Sequence, residues 1–330
     1  MRIEDFIDDD FRGCVLICEK GKIIFEKSLG YADLANKIPN EIDTKFATAS
    51  AGKVFVATGI LQLIEEGLLN FNDEIGNILD FDLKQIDPAI TVEELLTHTS
   101  GIPDYFDESV MDEYEELWTD FPNYKIRSNS DLTPLFVNKP MMYPRGKKFQ
   151  YNNTGFVVLA MIIEKITQTL FDQYLKRNVF DPCQMVDTGY YELDRLPAKC
   201  AANYIYDDDR NEYRTNIFSV DAKGTGAGGA FTTVNDIKSF WDCLMSGKLI
   251  SKDMTAKMIT NHSGEAQCYG YGIWLKKYGN AFIPYFQGRD PGVSFISSYD
   301  VSKELLMVLV SNYGDDVWKR QKKLAECIEK

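Results

Sequence analysis

A serine and a lysine in the stretch TASAGKVFV, residues 48–56, could together perform nucleophilic chemistry. Lys53 follows Ser50 by three residues, so on a helix the amine nitrogen and the hydroxyl oxygen lie on one face, a turn apart. A desolvated lysine has a lowered pKa and can accept the serine proton, and a helix N-terminus stabilises negative charge developing nearby. The alternative, a helix-capping serine beside a solvated lysine, is not excluded by this spacing alone.

A second group of polar residues precedes another apolar segment. In YPRGKKFQYNNTGFVVLAMIIEKIT, residues 143–167, Pro144 and Gly146 are typical of a turn. Tyr151 and Asn153 then stand directly before an amphipathic run, which predicts a position at the start of a helix. Taken alone, the two residues could equally be a core tyrosine and a helix-capping asparagine.

The elements that must position these residues can be predicted from the hydrophobic pattern. GCVLICEKGKIIFEKSLGYA, residues 13–32, contains two apolar runs and a turn at Gly21, which predicts a β-hairpin. Residues 292–300 and 304–314 predict a second pair of strands, and Asp315–Lys330 predict a helix. Both ends of the chain therefore predict one antiparallel sheet covered by a helix.

The middle of the chain is predicted to be mostly helical. Amphipathic patterns occur in KVFVATGILQLIEEGLL (53–69), TGFVVLAMIIEKIT (154–167) and NDIKSFWDCLMSG (235–247). Residues 104–140 are acidic and aromatic with weak periodicity, which predicts a long covering segment. The predicted fold is one α/β domain of the α+β type, with a sheet subdomain at about 1–50 and 265–330 and a helical subdomain at about 51–264.

Composition and charge limit the class of ligand. The 330 residues are 45% hydrophobic, which is enough for a sizeable core, and the net charge is -14 at pH 7. This charge repels nucleic acids and anionic membrane surfaces. We therefore expect a small-molecule partner, neutral or cationic, and neither a nucleic acid nor a membrane.

The cysteines and the N-terminal residues predict the compartment. Seven scattered cysteines form no C-x-x-C pair, which argues against a disulfide framework and favours a reducing environment. The opening MRIEDFIDDDF has no basic start and no apolar run, and no other stretch reaches the ~20 apolar residues that cross a bilayer. We expect a cytoplasmic location.

Other catalytic chemistries fit the sequence poorly. His98 and His262 are the only histidines, and neither accompanies a G-x-S-x-G motif or a set of zinc ligands. GTGAGG, residues 224–229, lacks the Lys-Ser/Thr of a phosphate-binding loop and is interpreted as close-packed backbone near the active-site floor. We expect no metal ion and no other cofactor.

Taken together, these motifs resemble the serine β-lactamase and penicillin-binding-protein superfamily, in particular its class C β-lactamase and esterase branch. That branch has S-x-x-K, a Pro-Gly block ending in F-x-Y-x-N, and a K-T-G or H-x-G element on a strand; residues 50–53 and 144–153 match the first two. Further stretches resemble the family in the same order along the chain: LLTHTSGIPDY (95–105), FDPCQMVDTGY (180–190), GAGGAFTTVNDIKSF (226–240), YGYGIWL (269–275) and GRDPGVSFISSYD (288–300).

The resemblance implies a role for each residue of the first two motifs. Ser50 matches the nucleophile that becomes acylated, and Lys53 matches its partner, either a base or a cation that lowers the pKa of the tyrosine. Tyr151 matches the general base and acid, and Asn153 matches the amide that binds the acyl arm of the substrate and orients the lysine. Whether Lys53 or Tyr151 takes the serine proton first is left open.

The third motif departs from the family pattern. Alignment of FQGRDPGV places Phe286 where Lys or His usually stands, followed by Gln287 and Gly288 as further substrate-binding residues. The backbone N–H of Arg289 would form the oxyanion hole together with that of Ser50. Phenylalanine cannot anchor a substrate carboxylate, which makes efficient β-lactam hydrolysis unexpected unless Arg289 supplies the lost cation. Replacing Phe286 by His or Lys is expected to increase cephalosporin turnover.

Two functions follow from these expectations. The first is a metal-independent serine hydrolase that acts through an acyl-enzyme on Ser50, on a small ester, amide or peptide. The alternative is a ligand-binding or regulatory protein that kept the fold while turnover was lost. If residues 104–140 cover the site, their acidity favours cationic or neutral ligands; otherwise they form a solvated surface loop.

Overall fold

Both ends of the chain contribute strands to one sheet in the computed structural model, which describes residues 10–111, 113–264, 267–279 and 281–328. The first nine residues of the opening segment and the last two of the predicted C-terminal helix lie outside the described residues. The strands are β1 (Gly13–Glu19), β2 (Lys22–Leu29), β3 (Tyr31–Asp33), β4 (Ile38–Pro39), β5 (Phe46–Ala47), β6 (Tyr204–Asp207), β7 (Glu212–Thr215), β8 (Phe231–Thr232), β9 (Trp274–Tyr278), β10 (Ala281–Asp290), β11 (Val293–Asp300) and β12 (Leu305–Ser311).

The main sheet has six antiparallel strands in the order β2-β1-β12-β11-β10-β9. The turn between β1 and β2 consists of Lys20 and Gly21, which both have positive φ (51° and 77°). Two-residue hairpin turns of this type need positive φ at these positions, because that conformation matches the twist of the two strands. The C-terminal part of the chain returns to the N-terminal hairpin, because β12 pairs with β1 on one side and with β11 on the other. The predicted sheet of N-terminal and C-terminal strands is therefore present.

Helices cover both faces of this sheet. They are α1 (Lys53–Glu65), α2 (Ile75–Ile78), α3 (Val92–Leu96), α4 (Asn153–Thr167), α5 (Phe171–Leu175), α6 (Val234–Ser246), α7 (Lys252–Met258) and α8 (Val317–Ile328). On one face, Val317 and Leu324 of α8 pack with Phe11 and with the buried side chains of β1 and β12. On the other face, α6 contacts the sheet, and its Trp241 indole N–H donates to Ser297 Oγ at 2.8 Å.

The larger core lies around α1 and α4, whose apolar residues are almost all buried. Because α1 is enclosed on nearly all sides, its first residue, Lys53, is carried into the interior with it. The helix ends at the C-cap residue Glu66, and the following Gly67 has a positive φ of 72°.

Short helical turns form part of the segment predicted as a cover. Residues 104–140 contain 3-10 turns at Tyr114–Trp118, Asn123–Lys125 and Asn129–Leu135. None of the described helices is by itself long and apolar enough to cross a bilayer; the pair Asn153–Thr167 and Phe171–Cys183 passes that test only when counted together, across a bend of 78°.

Candidate active site

Ser50 lies in a single 3-10 turn, Ala49–Gly52, that leads directly into α1. The preceding residue, Ala49, has a positive φ of 47°, and its carbonyl oxygen accepts a hydrogen bond from the N–H of Gly229 at 3.0 Å. A Cβ at Gly228 would lie 2.3 Å from that same oxygen. The glycine-rich segment is thus packed against the turn and holds the backbone of Ser50 in place, which agrees with a position at the floor of the site.

The side chain of Lys53 is 2% exposed, and all three of its N–H donors have acceptors. Its Nζ donates to Ser50 Oγ at 3.0 Å, to Asn153 Oδ1 at 2.8 Å and to the carbonyl oxygen of Ala227. The amine is therefore fixed between the hydroxyl of Ser50 and the start of α4.

Burial lowers the pKa of Lys53 to about 8, although the carboxylates of Glu108, Asp104 and Asp290 act in the opposite direction. Desolvation disfavours the charged ammonium, and the nearby negative charges recover only part of that cost. With this pKa about a tenth of the amine is neutral at pH 7, against less than a thousandth for a solvated lysine. A neutral amine at 3.0 Å can accept the proton of the Ser50 hydroxyl.

Tyr151 faces the same pair of residues. The Lys53 nitrogen lies 4.9 Å from the centre of the Tyr151 ring, and hydrogen bonding with Ser50 lowers the pKa of the phenol. Burial and the charge of Glu108 outweigh this effect, so the pKa of Tyr151 is well above its usual value. The phenol therefore keeps its proton at neutral pH and acts first as a hydrogen-bond donor.

The imidazole ring of His98 packs against the ring of Tyr151. The two ring centres are 4.5 Å apart, and His98 Nδ1 accepts a hydrogen bond from the N–H of Asn152 at 3.2 Å. Burial, followed by the charge of Lys53, lowers the pKa of His98 well below its usual value, so the ring is neutral. Nε2 then carries the proton and donates to the Tyr269 hydroxyl at 3.1 Å. The imidazole therefore helps to position the phenol.

The first turn of α4 fixes the amide of Asn153. Asn152 is the N-cap, and its side chain accepts from the N–H of Gly155. Asp104 accepts from the N–H of Asn153 at 2.8 Å, and Asn153 Nδ2 donates to the carbonyl oxygen of Phe106 at 3.0 Å. With the NH₂ group committed, Oδ1 is left to accept from Lys53.

The end of β10 lies against the Ser50 turn. A Cβ at Gly288 would be 2.3 Å from the carbonyl oxygen of Thr48 and 2.6 Å from the nitrogen of Ser50, so only glycine permits this approach. β9 pairs with β10 only along Ala281–Tyr285, which leaves the following edge of β10 open towards the turn. The exposed Arg289 follows Gly288 and lines the adjacent cavity.

Phe286 and Gln287 are not at this cavity, which corrects the expectation that they contact substrate. Phe286 is 2% exposed, and its ring lies 5.3 Å from that of Trp241 and 6.1 Å from that of Phe295. Gln287 lies on the opposite face of the sheet, where its Oε1 accepts from the Trp318 indole N–H at 2.7 Å. Because position 286 is part of the core, a His or Lys there is no longer expected to increase cephalosporin turnover.

A cavity of about 610 Å³ opens beside Ser50 and Asn153. Seven residues between Tyr105 and Glu115 line it, so the acidic segment does border the site. Seven lining side chains are acidic or basic: Glu108, Glu113, Glu115, Asp221, Asp290, Arg214 and Arg289. The five acids outnumber the two arginines.

Two of these acids were not predicted from the sequence. Burial raises the pKa of Asp221 to about 8 and that of Asp290 to about 7, and the charge of Asp290 contributes to the shift of Asp221. Tyr114 donates from its hydroxyl to Asp221 Oδ1 at 3.2 Å. No local motif contains both acids, and the acidic composition was the only available signal. Within the described ranges, no group of three or more His, Cys, Asp or Glu side chains is arranged to hold a metal ion.

The family described as Beta-lactamase matches residues 3–326, nearly the whole chain. The protein belongs to the beta-lactamase family. This beta-lactamase-family chain is 28% identical over 324 residues to Penicillin-binding protein 4* of Bacillus subtilis, covering 93% of this chain and 69% of that protein. The match confirms the predicted superfamily and supports a hydrolase of that superfamily.

Solved structures agree with the fold. The crystal structure of a penicillin binding protein from Bacillus halodurans is 36% identical, with a TM-score of 0.94 over 99% of this chain and 100% of that one. The D-amino acid amidase from Ochrobactrum anthropi SV3 shares the fold with a TM-score of 0.82 at 23% identity, over 99% of this chain and 98% of that one. The predicted fold class is thereby confirmed.

Proposed function

We propose that this protein is a metal-independent serine hydrolase that forms an acyl-enzyme on Ser50. The observation that carries the proposal is the buried Lys53 amine, 3.0 Å from Ser50 Oγ and 2.8 Å from Asn153 Oδ1, with a pKa lowered to about 8. Burying an amine costs free energy, and a lysine at the surface avoids that cost. A lysine without a chemical role would therefore not be expected at this buried position. Activated nucleophiles are built in this way.

We assign the first proton transfer to Lys53. The neutral amine accepts the Ser50 proton as Oγ attacks the substrate carbonyl carbon. Tyr151, which keeps its own proton because its pKa is raised, then donates to the leaving group and is reprotonated from the lysine. Water resolves the resulting ester in the second half of the reaction and restores Ser50.

The oxyanion of the tetrahedral intermediate would be held by the backbone N–H groups of Ser50 and Arg289. The close approach of Gly288 to the Ser50 nitrogen supports this assignment, because it brings the next residue of β10 beside the turn. One such donor is worth ~3 kcal/mol of transition-state stabilisation. A backbone donor is unaffected by the change of side chain at position 286.

A small ester, amide or peptide is the proposed substrate. The cavity volume of about 610 Å³ is in the range of small-ligand sites. The buried Phe286 supplies no cation for the carboxylate of a β-lactam, and we therefore propose that such compounds are poor substrates. The D-amino acid amidase that shares this fold adds support for an amide.

Covalent labelling tests the proposal against the alternative of a ligand-binding protein without turnover. The intact mass of the wild type after treatment with a fluorophosphonate should increase by one adduct, which peptide mapping should locate on Ser50. The Ser50→Ala variant is the control and should remain unlabelled. A wild type that forms no adduct would favour the ligand-binding alternative.

A further inference from the structure

We propose that Asp104 is a positioning residue of the reaction, which fixes the Asn153 amide against Lys53 and supplies a buried negative charge for the ammonium that forms there. Asp104 is 3% exposed, and it is not among the residues that line the cavity. This inference rests on the proposed function, because it names a residue that acts on the same reaction through Asn153 and Lys53.

The first turn of α4 holds the Asp104 carboxylate. Its Oδ2 accepts from the N–H of Asn153 at 2.8 Å, and its Oδ1 accepts from the N–H of Thr154 at 3.0 Å and from the Thr154 hydroxyl at 3.1 Å. Asn152 already accepts from the next N–H of the helix, that of Gly155. The first N–H groups of a helix lack partners within the helix, and they stabilise a negative charge placed against them. The carboxylate thus satisfies two of these donors and is itself stabilised in the interior.

Tyr105 and Phe106, the two residues that follow Asp104, bind the same turn. The N–H of Tyr105 donates to Thr154 Oγ1 at 2.9 Å, and the carbonyl oxygen of Phe106 accepts from Asn153 Nδ2 at 3.0 Å. Asn153 is therefore held at its backbone by Asp104 and at its side-chain NH₂ group by Phe106. Three consecutive residues, 104–106, thus fix the orientation of this amide.

The carboxylate reaches the reacting groups through Asn153. Asn153 Oδ1 accepts from Lys53 Nζ at 2.8 Å, and the same nitrogen donates to Ser50 Oγ at 3.0 Å. The charge of Asp104 raises the pKa of Lys53, and the charge of Lys53 lowers that of Asp104. Burial has the larger effect on Asp104 and raises its pKa to about 6, so the group is mostly ionised at pH 7. When Lys53 takes the serine proton, the ammonium that forms meets a negative charge already in place, which lowers the barrier.

Other titratable groups surround this pair. Glu108 and Asp290 also raise the pKa of Lys53, but both line the cavity. The exposed Lys139 donates to the backbone carbonyl oxygen of Asp104 at 2.8 Å. The phenols and the imidazole nearby are neutral at pH 7, because burial raises the pKa of a phenol and lowers that of an imidazole. They are Tyr105, Tyr143, Tyr151 and His98. Asp104 thus differs from the other two acids near Lys53 in lying outside the cavity, where a bound substrate does not alter its surroundings.

The pH profile of fluorophosphonate labelling at Ser50 tests this role in the Asp104→Asn variant. Asparagine keeps the size of the side chain and removes its charge. We expect the midpoint of the profile, about 8 in the wild type, to move to lower pH by roughly one unit. The limiting rate above the midpoint should fall by roughly 10- to 100-fold, because the Asn153 amide is displaced. Asp104→Glu keeps the charge in a displaced position, so its rate should fall while its midpoint stays within about 0.3 units of the wild type.

Asp236→Asn is the matched control. Asp236 is 6% exposed in the first turn of α6, where it accepts from the N–H of Asp187 at 2.9 Å and from the Thr188 hydroxyl at 2.7 Å. It does not line the cavity. Both Asp→Asn variants should lower the Tm, but Asp236→Asn should keep the midpoint of the wild type. An unshifted midpoint in Asp104→Asn, or an equal shift in Asp236→Asn, would reduce Asp104 to a structural residue and overturn the proposal.

A measurement without any reaction separates this proposal from the hydrolase. The pKa of Lys53 can be followed by carbon NMR at its Cε, whose signal is identified by its absence from Lys53→Met. It should fall in Asp104→Asn and stay in Asp104→Glu. A protein that is never labelled but shows this difference removes the hydrolase and keeps the link between Asp104 and Lys53. Should Asp104→Asn not fold, a Lys53 pKa that falls by about one unit in Asp104→Glu, where the charge is kept, would overturn the proposal.

Discussion

Lys53 experiences two opposing influences that together set its chemistry. Burial in the first turn of α1 disfavours its charge, while Glu108, Asp104 and Asp290 favour it. Burial has the larger effect, and the resulting pKa of about 8 is near the range in which a general base is most effective. Two of these carboxylates, Glu108 and Asp290, also line the cavity in which substrate would bind.

The rate of Ser50 acylation should therefore depend on pH. Below pH 8 the amine is mostly protonated and cannot accept the serine proton, so the labelling rate rises with pH and levels off above an apparent pKa of about 8. Lys53→Ala should reduce the rate by roughly 10²–10⁴-fold. Lys53→Arg should not restore it, because a guanidinium stays protonated. Stopped-flow measurement with a neutral ester between pH 6 and 9 provides the profile, and a flat profile would exclude Lys53 as the base.

Substitution at position 286 should affect folding rather than specificity. Phe286→Lys would bury an ammonium among Phe240, Trp241 and Phe295, with a loss of several kcal/mol of unfolding free energy. Phe286→Leu keeps most of the apolar volume and should cost ~1 kcal/mol. Urea unfolding monitored by circular dichroism compares the two variants. A stable Phe286→Lys protein with increased cephalosporin turnover would show that this side chain reaches the cavity after all.

The sequence could predict the residues of a motif better than the direction of one side chain. Ser50 with Lys53, and Tyr151 with Asn153, are close in the chain, so local spacing limits where they can lie. Alignment gave Phe286 a position along β10, but the packing of Trp241 from α6 decides that its ring belongs to the core. That information comes from a distant segment and is absent from the motif itself.

At the scale of elements, the geometry of the site depends on two backbone segments that pack directly against the turn carrying Ser50, with no side chain between them. The glycine-rich segment at Gly228 and the end of β10 at Gly288 each approach the Ser50 turn within contact distance. Each approach needs glycine, because a Cβ would overlap main-chain atoms that cannot move independently. The hairpin turns and helix ends were predictable from local residues, whereas the pairing of β5 with β8 was not, since two-residue strands show no periodicity.

Gly288→Ala should damage both folding and catalysis. Its Cβ would overlap the Thr48 carbonyl oxygen and the Ser50 nitrogen, which we expect to cost ~3 kcal/mol of stability. The displaced turn should lower the labelling rate of any folded protein by about a hundredfold. Gly155→Ala is the control, because its Cβ would meet its nearest neighbour at 3.6 Å and it should stay within ~1 kcal/mol of the wild type. Equal behaviour of the two variants would argue against the close contact.

For the whole molecule, the net charge of -14 predicted an acidic surface but not its distribution. Part of this acidity lies at the cavity, where Asp221, Asp290 and the three glutamates Glu108, Glu113 and Glu115 come from separate stretches of the chain. Composition could predict an excess of acids, and only the fold brings some of them to the cavity at Ser50. Buried acids whose pKa values are raised are expected to reduce stability at neutral pH.

Asp221→Asn should raise the Tm, and the increase should depend on pH. In the unfolded chain this acid ionises near pH 4, whereas in the folded protein its pKa is about 8, so the folded state loses relative stability as pH rises from 4 towards 8. Removing the acid abolishes this loss, and the gain in Tm should be larger at pH 8 than at pH 5.5. Asparagine can still accept from Tyr114. Calorimetry at both pH values measures the difference, and a decrease at pH 8 would contradict the assignment of an uncompensated acid.

The most direct test of the acyl-enzyme is to trap it. The wild type is mixed with an activated acetate ester, quenched in acid within milliseconds to seconds, and examined by intact mass and by peptide mapping. We predict a transient acetyl group on Ser50, absent from Ser50→Ala and strongly delayed in Lys53→Ala. Ester hydrolysis by the wild type without any acyl group on Ser50, or equal acylation of the Ser50→Ala variant, would contradict the central claim.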